Sequence, residues 1–172
     1  MPVYALGSAA PCIDPSAFVH PDAVVIGDVT IGAESTVWPC AVLRGDYGHI
    51  EVGARTSIQD GTVIHATAAK PTHVGSDCVI GHQVHLEGCT IMDRVLVGNG
   101  AIVMHDVIAR AGSVIGAGAV LKNGTVVPER GMALGVPATI REDAAQGDFV
   151  GDAVALYVTN GQRYRAQLRR VD

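Results

Sequence analysis

The chain has 172 residues, the length of one domain rather than two. Its 12 basic and 17 acidic side chains leave a formal charge of −5, which argues against nonspecific binding to nucleic acid or to an anionic membrane, since both need a basic face. Apolar residues make up 48% of the sequence and aromatics only 4%, so a large core is expected from small and β-branched side chains.

The N-terminus, Met1-Pro2-Val3-Tyr4, lacks the basic start and continuous apolar block of a signal peptide. No apolar run approaches the ~18 residues of a membrane-spanning helix. Cys12, Cys40, Cys78 and Cys89 show no metal-binding spacing and read as reduced thiols, mostly core filler, in a cytoplasmic protein.

From Ile31 onward a six-residue repeat dominates. Aliphatic residues recur at Ile31, Val37 and Leu43, at Val52, Ile58 and Ile64, and at Val74, Ile80 and Leu86. The pattern continues at Val97 and Val103 and again at Ile115, Leu121 and Val127. Four residues after most of them stands a small or β-branched residue, such as Ser35, Ala41, Thr56, Thr62, Cys78 or Ala101. In extended chain, residues two apart share a side, so this residue and the next aliphatic both face inward. Glycine commonly follows the aliphatic position, where the chain must turn a corner. Three six-residue sides make one coil, and stacked coils pair through parallel backbone hydrogen bonds. The pattern therefore predicts an all-β solenoid, a parallel β-helix of triangular section. A βαβ fold would need helical stretches between strands, and none is present.

Two insertions interrupt the count. Leu43 to Val52 is nine residues, so about three leave within Gly45-Asp46-Tyr47-Gly48-His49; Ile64 to Val74 is ten, so four leave near residues 66–72. Before the first of them, Trp38 at a corner reads as a packing plug or a subunit contact. The prism is expected to end near Gly135-Val136-Pro137, giving a β-helix domain over 1–138 and a tail over 139–172. In that tail Val150, Val154, Tyr157, Tyr164 and Leu168 mark one amphipathic α-helix packed along the prism, with Gly161 as a weak point. Arg163, Arg165, Arg169 and Arg170 read as its solvated end.

Of seven histidines, His20, His49, His73 and His105 have no register signal and read as surface or loop residues. His65 follows Ile64 directly, and Glu87 follows Leu86 at the same corner one coil later, so the two are expected to stack ~4.8 Å apart on an outer edge. His82 follows Ile80 by two, at the preceding corner. His82 and Glu87 are separated by five residues of extended strand, about 16 Å, too far for ligands whose metal bonds are ~2.0–2.1 Å. If His82 shares a metal with His65 and Glu87, it comes from a neighbouring molecule, and a cyclic homotrimer would make three such sites. Spacing alone leaves open that these are polar residues at turns.

Several stretches then carry a specific resemblance: Leu43-Arg44-Gly45-Asp46, Ile58-Gln59-Asp60-Gly61, Ile64-His65, Ile80-Gly81-His82, Gly88-Cys89-Thr90-Ile91, Ile115-Gly116-Ala117-Gly118 and Gly135-Val136-Pro137-Ala138. Residues 24–137 resemble the gamma-class carbonic anhydrase family, trimeric left-handed β-helices. The resemblance implies zinc held between subunits by three histidines, with iron(II) or cobalt(II) as alternatives, and reversible hydration of carbon dioxide to bicarbonate. Two of those histidines carry over to His65 and to His82 of an adjacent subunit. Arg44 and Asp46 would tie the subunits and order the site, Gln59 would hydrogen-bond the water or bicarbonate at the metal, and Asp60 would hold the arginine. Arg44 and Asp46 also read as a plain interface ion pair, and Asp60 as a turn residue. Hexapeptide acyltransferases share the fold but not these motifs.

One position departs from the family pattern: the histidine expected five residues after His82 is Glu87. Glu87 could complete a two-histidine, one-carboxylate site; His85, on the same outward side of the strand, could supply the third nitrogen; or the site could be crippled. A carboxylate in place of an imidazole lowers the net charge of the metal cluster from +2 to +1, so its water becomes less acidic. Hydration activity is then expected to be weak or shifted to alkaline pH, with His49 or Tyr157 as candidate proton relays. A non-catalytic metal- or small-ligand-binding trimeric scaffold, or a hexapeptide acyltransferase, is the alternative.

Overall fold

In the computed structural model, which describes residues 2–145, 147–148 and 150–172, the repeat positions stack into three inward ladders. One runs through Val25, Leu43, Ile64, Leu86, Val103 and Leu121. A second runs through Val37, Ile58, Ile80, Val97, Ile115 and Ala133. The third runs through Ile31, Val52, Val74, Ile91, Ala109 and Val127. All eighteen are at most 2% exposed. The pairings within the ladders are parallel, so the chain is a parallel β-solenoid with one C-terminal helix, as the repeat predicts. Two faces join into one 12-stranded sheet because the long strands Val24–Ile31 and Val42–Val52 continue around a corner; the third face is an 8-stranded sheet.

The corner glycines have a different cause from the one expected. Gly32, Gly53, Gly75, Gly81, Gly98 and Gly116 are not among the residues with positive φ. The left-handed residues fall two positions later, at Glu34, Arg55, Asp77, Gln83, Gly100 and Gly118. What the first set supplies is room: a Cβ on Gly32 would lie 2.7 Å from the backbone carbon of Gly53, and one on Gly53 2.6 Å from that of Gly75. Successive coils approach too closely there for any side chain.

The first insertion leaves where expected. Four residues of Val42–Val52, Asp46 to His49, stand opposite one of Val24–Ile31, Asp28, so three extra residues bulge outward between Gly45 and Ile50, with Tyr47 at their exposed tip. They stay in extended conformation instead of forming a separate loop. The second insertion closes on a Thr67–Lys70 bridge, and the Thr72 hydroxyl donates to the His65 carbonyl. A third irregularity escapes a six-residue count: the side from Leu86 to Ile91 is one residue short, and Gly88 turns it with φ +61°.

The helix spans Gly151–Gln167 and covers the third face. Its buried Val150 and Val154 pack on Val79, with Leu96, Ala153, Tyr157 and Val158 around them. The Asp148 carboxylate accepts the Gly151 N–H at 2.8 Å, closing the helix start, and pairs with Arg94. Trp38 is an intramolecular plug: it sits edge-on to Tyr157 and Tyr164, beside Phe18, and its indole N–H reaches the Thr36 and Ser57 hydroxyls at 3.0 Å. Gly161 is required rather than tolerated, because a Cβ there would lie 2.6 Å from Thr36 Cγ2. Among the described residues no helix is long and apolar enough to cross a membrane.

Candidate metal centre

Parallel pairing sets Arg44 beside His65 and His65 beside Glu87, one per coil, along a single outer corner. Their side chains form a hydrogen-bonded chain. The Arg44 guanidinium donates to Asp46 Oδ2, and Asp46 Oδ1 faces His65 Nε2 at 3.0 Å. His65 Nδ1 in turn faces Glu87 Oε1 at 3.1 Å. His85 reaches the other Glu87 oxygen, with Nε2 3.3 Å from Oε2. The inner members are largely sheltered: the side chains of His65, Asp46 and Glu87 are 14%, 19% and 21% exposed.

Burial pushes the Glu87 carboxyl up, but hydrogen bonds from His65 and His85, with His105 beside them, outweigh it and hold the group below its ordinary range. Asp46 behaves alike: burial raises it, and the Arg44 and His65 hydrogen bonds more than reverse that. Both are therefore carboxylates at neutral pH. Two ionised acceptors flank one imidazole, and a singly protonated ring donates to only one of them. His65 as drawn can thus keep Asp46 on Nε2 and present Nδ1 to another electrophile.

His82 stands apart. It follows the strand Val79–Ile80, while Glu87 ends the strand His85–Glu87, so the two bracket one sheet face from opposite edges. Its Nδ1 pairs with Asp60 Oδ2 at 3.0 Å, and its backbone N–H donates to the Asn99 side chain. Within the protomer Asp60 meets His82, and Arg44 meets Asp46. Gln59 is buried, 4% exposed, one residue from Asp60. Of the proposed proton relays, His49 pairs with Asp28 at 2.9 Å, and Tyr157 lies against Trp38 beneath the helix. Among the described residues, no three His, Cys, Asp or Glu side chains of one protomer are arranged to hold a metal ion.

One residue was missed by register reasoning. His105 Nε2 lies 3.5 Å from Glu87 Oε1, buried and without a hydrogen-bond partner. Its one trace in the sequence is the short side at Gly88, which puts His105 over that glycine only once the coils are stacked.

Comparison with known proteins supplies context for this corner. The repeat model described as bacterial transferase hexapeptide (six repeats) matches residues 13–45. Gamma carbonic anhydrase 1, mitochondrial, of Arabidopsis thaliana is 34% identical over 166 residues, covering 92% of this chain and 60% of that protein. The chain therefore spans less than two thirds of that plant relative. Carnitine operon protein CaiE of Escherichia coli is 40% identical over 138 residues, 80% of this chain and 70% of CaiE. A crystal structure of a hexapeptide transferase family protein from Anaplasma phagocytophilum superposes with a TM-score of 0.90 at 33% identity, covering 95% of this chain and 98% of that one.

Proposed function

The chain belongs to the gamma carbonic anhydrase-like family of hexapeptide-repeat proteins, and from that premise we propose that it hydrates carbon dioxide reversibly at a divalent metal shared between protomers of a homotrimer. The observation that carries this reading is the separation of donors to opposite edges of one face: His65 and Glu87 on one edge, His82 on the other. A head-to-tail ring of three copies brings each His82 to a neighbour's His65 and Glu87, and such contacts close. That ring turns the intervening face inward. Its outward residues Val42, Val63, Ile102 and Val120 stack in register with His85, and Val63 and Ile102 are 38% and 39% exposed in the single protomer. An apolar face of this kind gains by being covered.

The residues fit a metal. Imidazole nitrogens and a carboxylate suit zinc, iron(II) or cobalt(II). Asp46 on His65 Nε2 supplies the carboxylate behind a ligating histidine that metal sites commonly use to fix ring and tautomer. Arg44 anchors Asp46 in turn. A bound zinc ion would supply the Lewis acidity that lets water add to carbon dioxide near neutral pH. Gln59 would hydrogen-bond substrate or product, and Asp60 holds His82 at the edge it donates from. Glu87 adds a negative charge where the family has a neutral ring, which weakens that acidity, so activity is low or displaced to alkaline pH. A cytoplasmic location belongs to the same proposal; the plant relative is named as mitochondrial, and fractionation tests it.

Metal analysis of protein purified without chelator, combined with hydration rates across pH, tests this reading. Stoichiometric metal in a trimer with slow turnover at pH 7 supports it; a metal-free or monomeric protein overturns it. The transferase vocabulary of the repeat model and of the Anaplasma relative favours an acyltransferase as second reading. Binding of coenzyme A by the full chain would support that reading instead.

A further inference from the structure

We propose that His105 supplies a nitrogen donor to the shared metal, standing in for the histidine whose position Glu87 occupies. The inference rests on the intersubunit metal site proposed above. A buried ring nitrogen without a partner is uncommon and calls for an explanation, and a missing ligand is one such explanation. His105 Nε2 is such an atom, 3.5 Å from Glu87 Oε1 at the edge where the centre is proposed.

The nitrogen is only weakly held where it stands. His65 Nδ1 meets Glu87 Oε1 at 3.1 Å, whereas His105 Nε2 lies 3.5 Å from the same oxygen, long for an N–H···O bond. A small turn of the ring would release it toward a metal at this edge. The ring is also seated for the purpose. A Cβ on Gly88 would meet His105 Cδ2 at 2.6 Å, so only glycine beneath it leaves the imidazole this place, and the left-handed φ of +61° suits glycine independently.

His85 is the weaker candidate for the same role. Its Nε2 is already engaged by the second Glu87 oxygen, and it stands on the outward sheet face between Val63 and Ile102. With His65 and His105 from one protomer and His82 from the next, the site regains three imidazoles, with Glu87 beside them.

Zinc and cobalt(II) titrations of the protein and its H105A, H105Q and H85A variants test this, with folding checked by melting temperature. The expected result is that H105A and H105Q lose more affinity than the ~10–100-fold that an outer partner is worth. Both should also change the visible absorption of the cobalt form, while H85A binds as the parent does. Parent-like affinity and spectrum in H105A overturn the inference. So does rescue by H105Q, whose amide keeps a hydrogen-bond donor but replaces the ligating nitrogen. A parent protein that binds neither metal fails the underlying site itself, and this inference with it.

Discussion

His65 and Glu87 occupy paired positions in consecutive coils, and their side chains meet at 3.1 Å on the outer corner of the prism. Between Asp46 and Glu87, one imidazole is flanked by two carboxylates that are both held ionised, with Arg44 behind the first and His85 and His105 around the second. The corner therefore gathers imidazoles around two negative charges, the arrangement that the proposed metal site would draw on.

Replacing Glu87 by histidine removes the negative charge beside the proposed metal. In E87H, hydration at pH 7 is expected to rise and the pH profile to move toward acid, by about tenfold in rate for each unit moved. Stopped-flow hydration with an indicator dye measures it. An E87H variant no faster than the parent, or a parent already fast at pH 7, refutes the charge argument.

Acid stability follows from the same carboxylates. Asp46 and Glu87 sit below their ordinary values of 3.8 and 4.5 in the folded chain, so between folded and unfolded values the unfolded state binds more protons. Stability rises with pH in that window. The contribution is complete above the ordinary values and is lost as pH falls through the lowered ones. Melting curves between about pH 3 and pH 5 should show a steeper dependence for the parent than for D46N/E87Q.

Glycine to alanine in a helix normally stabilises by ~1 kcal/mol. At Gly161 the sign should reverse, because the added methyl meets buried Thr36. We expect G161A to lose about 1–3 kcal/mol, measured by urea unfolding. Trp38, the single tryptophan, reports the loosened helix through a shifted emission.

Val63 lies on the face that the trimer would bury. V63D places a charge there and should shift sedimentation equilibrium from trimer toward monomer, with metal content falling in parallel. Trimer retained with full metal would show that this face is not the interface.

Cys78 and Cys89 are buried, and burial pushes both thiols up to about 12. Cys12 and Cys40 are exposed. Iodoacetamide near pH 8 should alkylate the exposed pair quickly and the buried pair only after unfolding, as counted by intact mass.

The Ile31-to-Val127 repeat carried the fold, because a narrow prism admits only small and aliphatic side chains at fixed spacing, and that constraint is written in one dimension. The same spacing put His65 against Glu87 and separated His82 from both. Register could not reveal His105. Its place over Gly88 depends on a side one residue short, and a single missing residue in a repeat reads as noise until the coils are stacked. The corner glycines were visible as a pattern but not in their cause, since the approach of one coil's backbone to the next is a distance between residues about twenty apart in sequence.

What the sequence determined by itself was thus periodic: the inward ladders, the two excursions, the amphipathic helix, and which polar residues share a corner. What only the tertiary structure decided was contact across coils. It brought Arg44, Asp46, His65, Glu87, His85 and His105 into one cluster, paired Asp60 with His82, and fitted Gly161 against Thr36. Local periodicity dictates the side a residue faces; which side chains then meet depends on how far each coil is advanced and rotated on its neighbour.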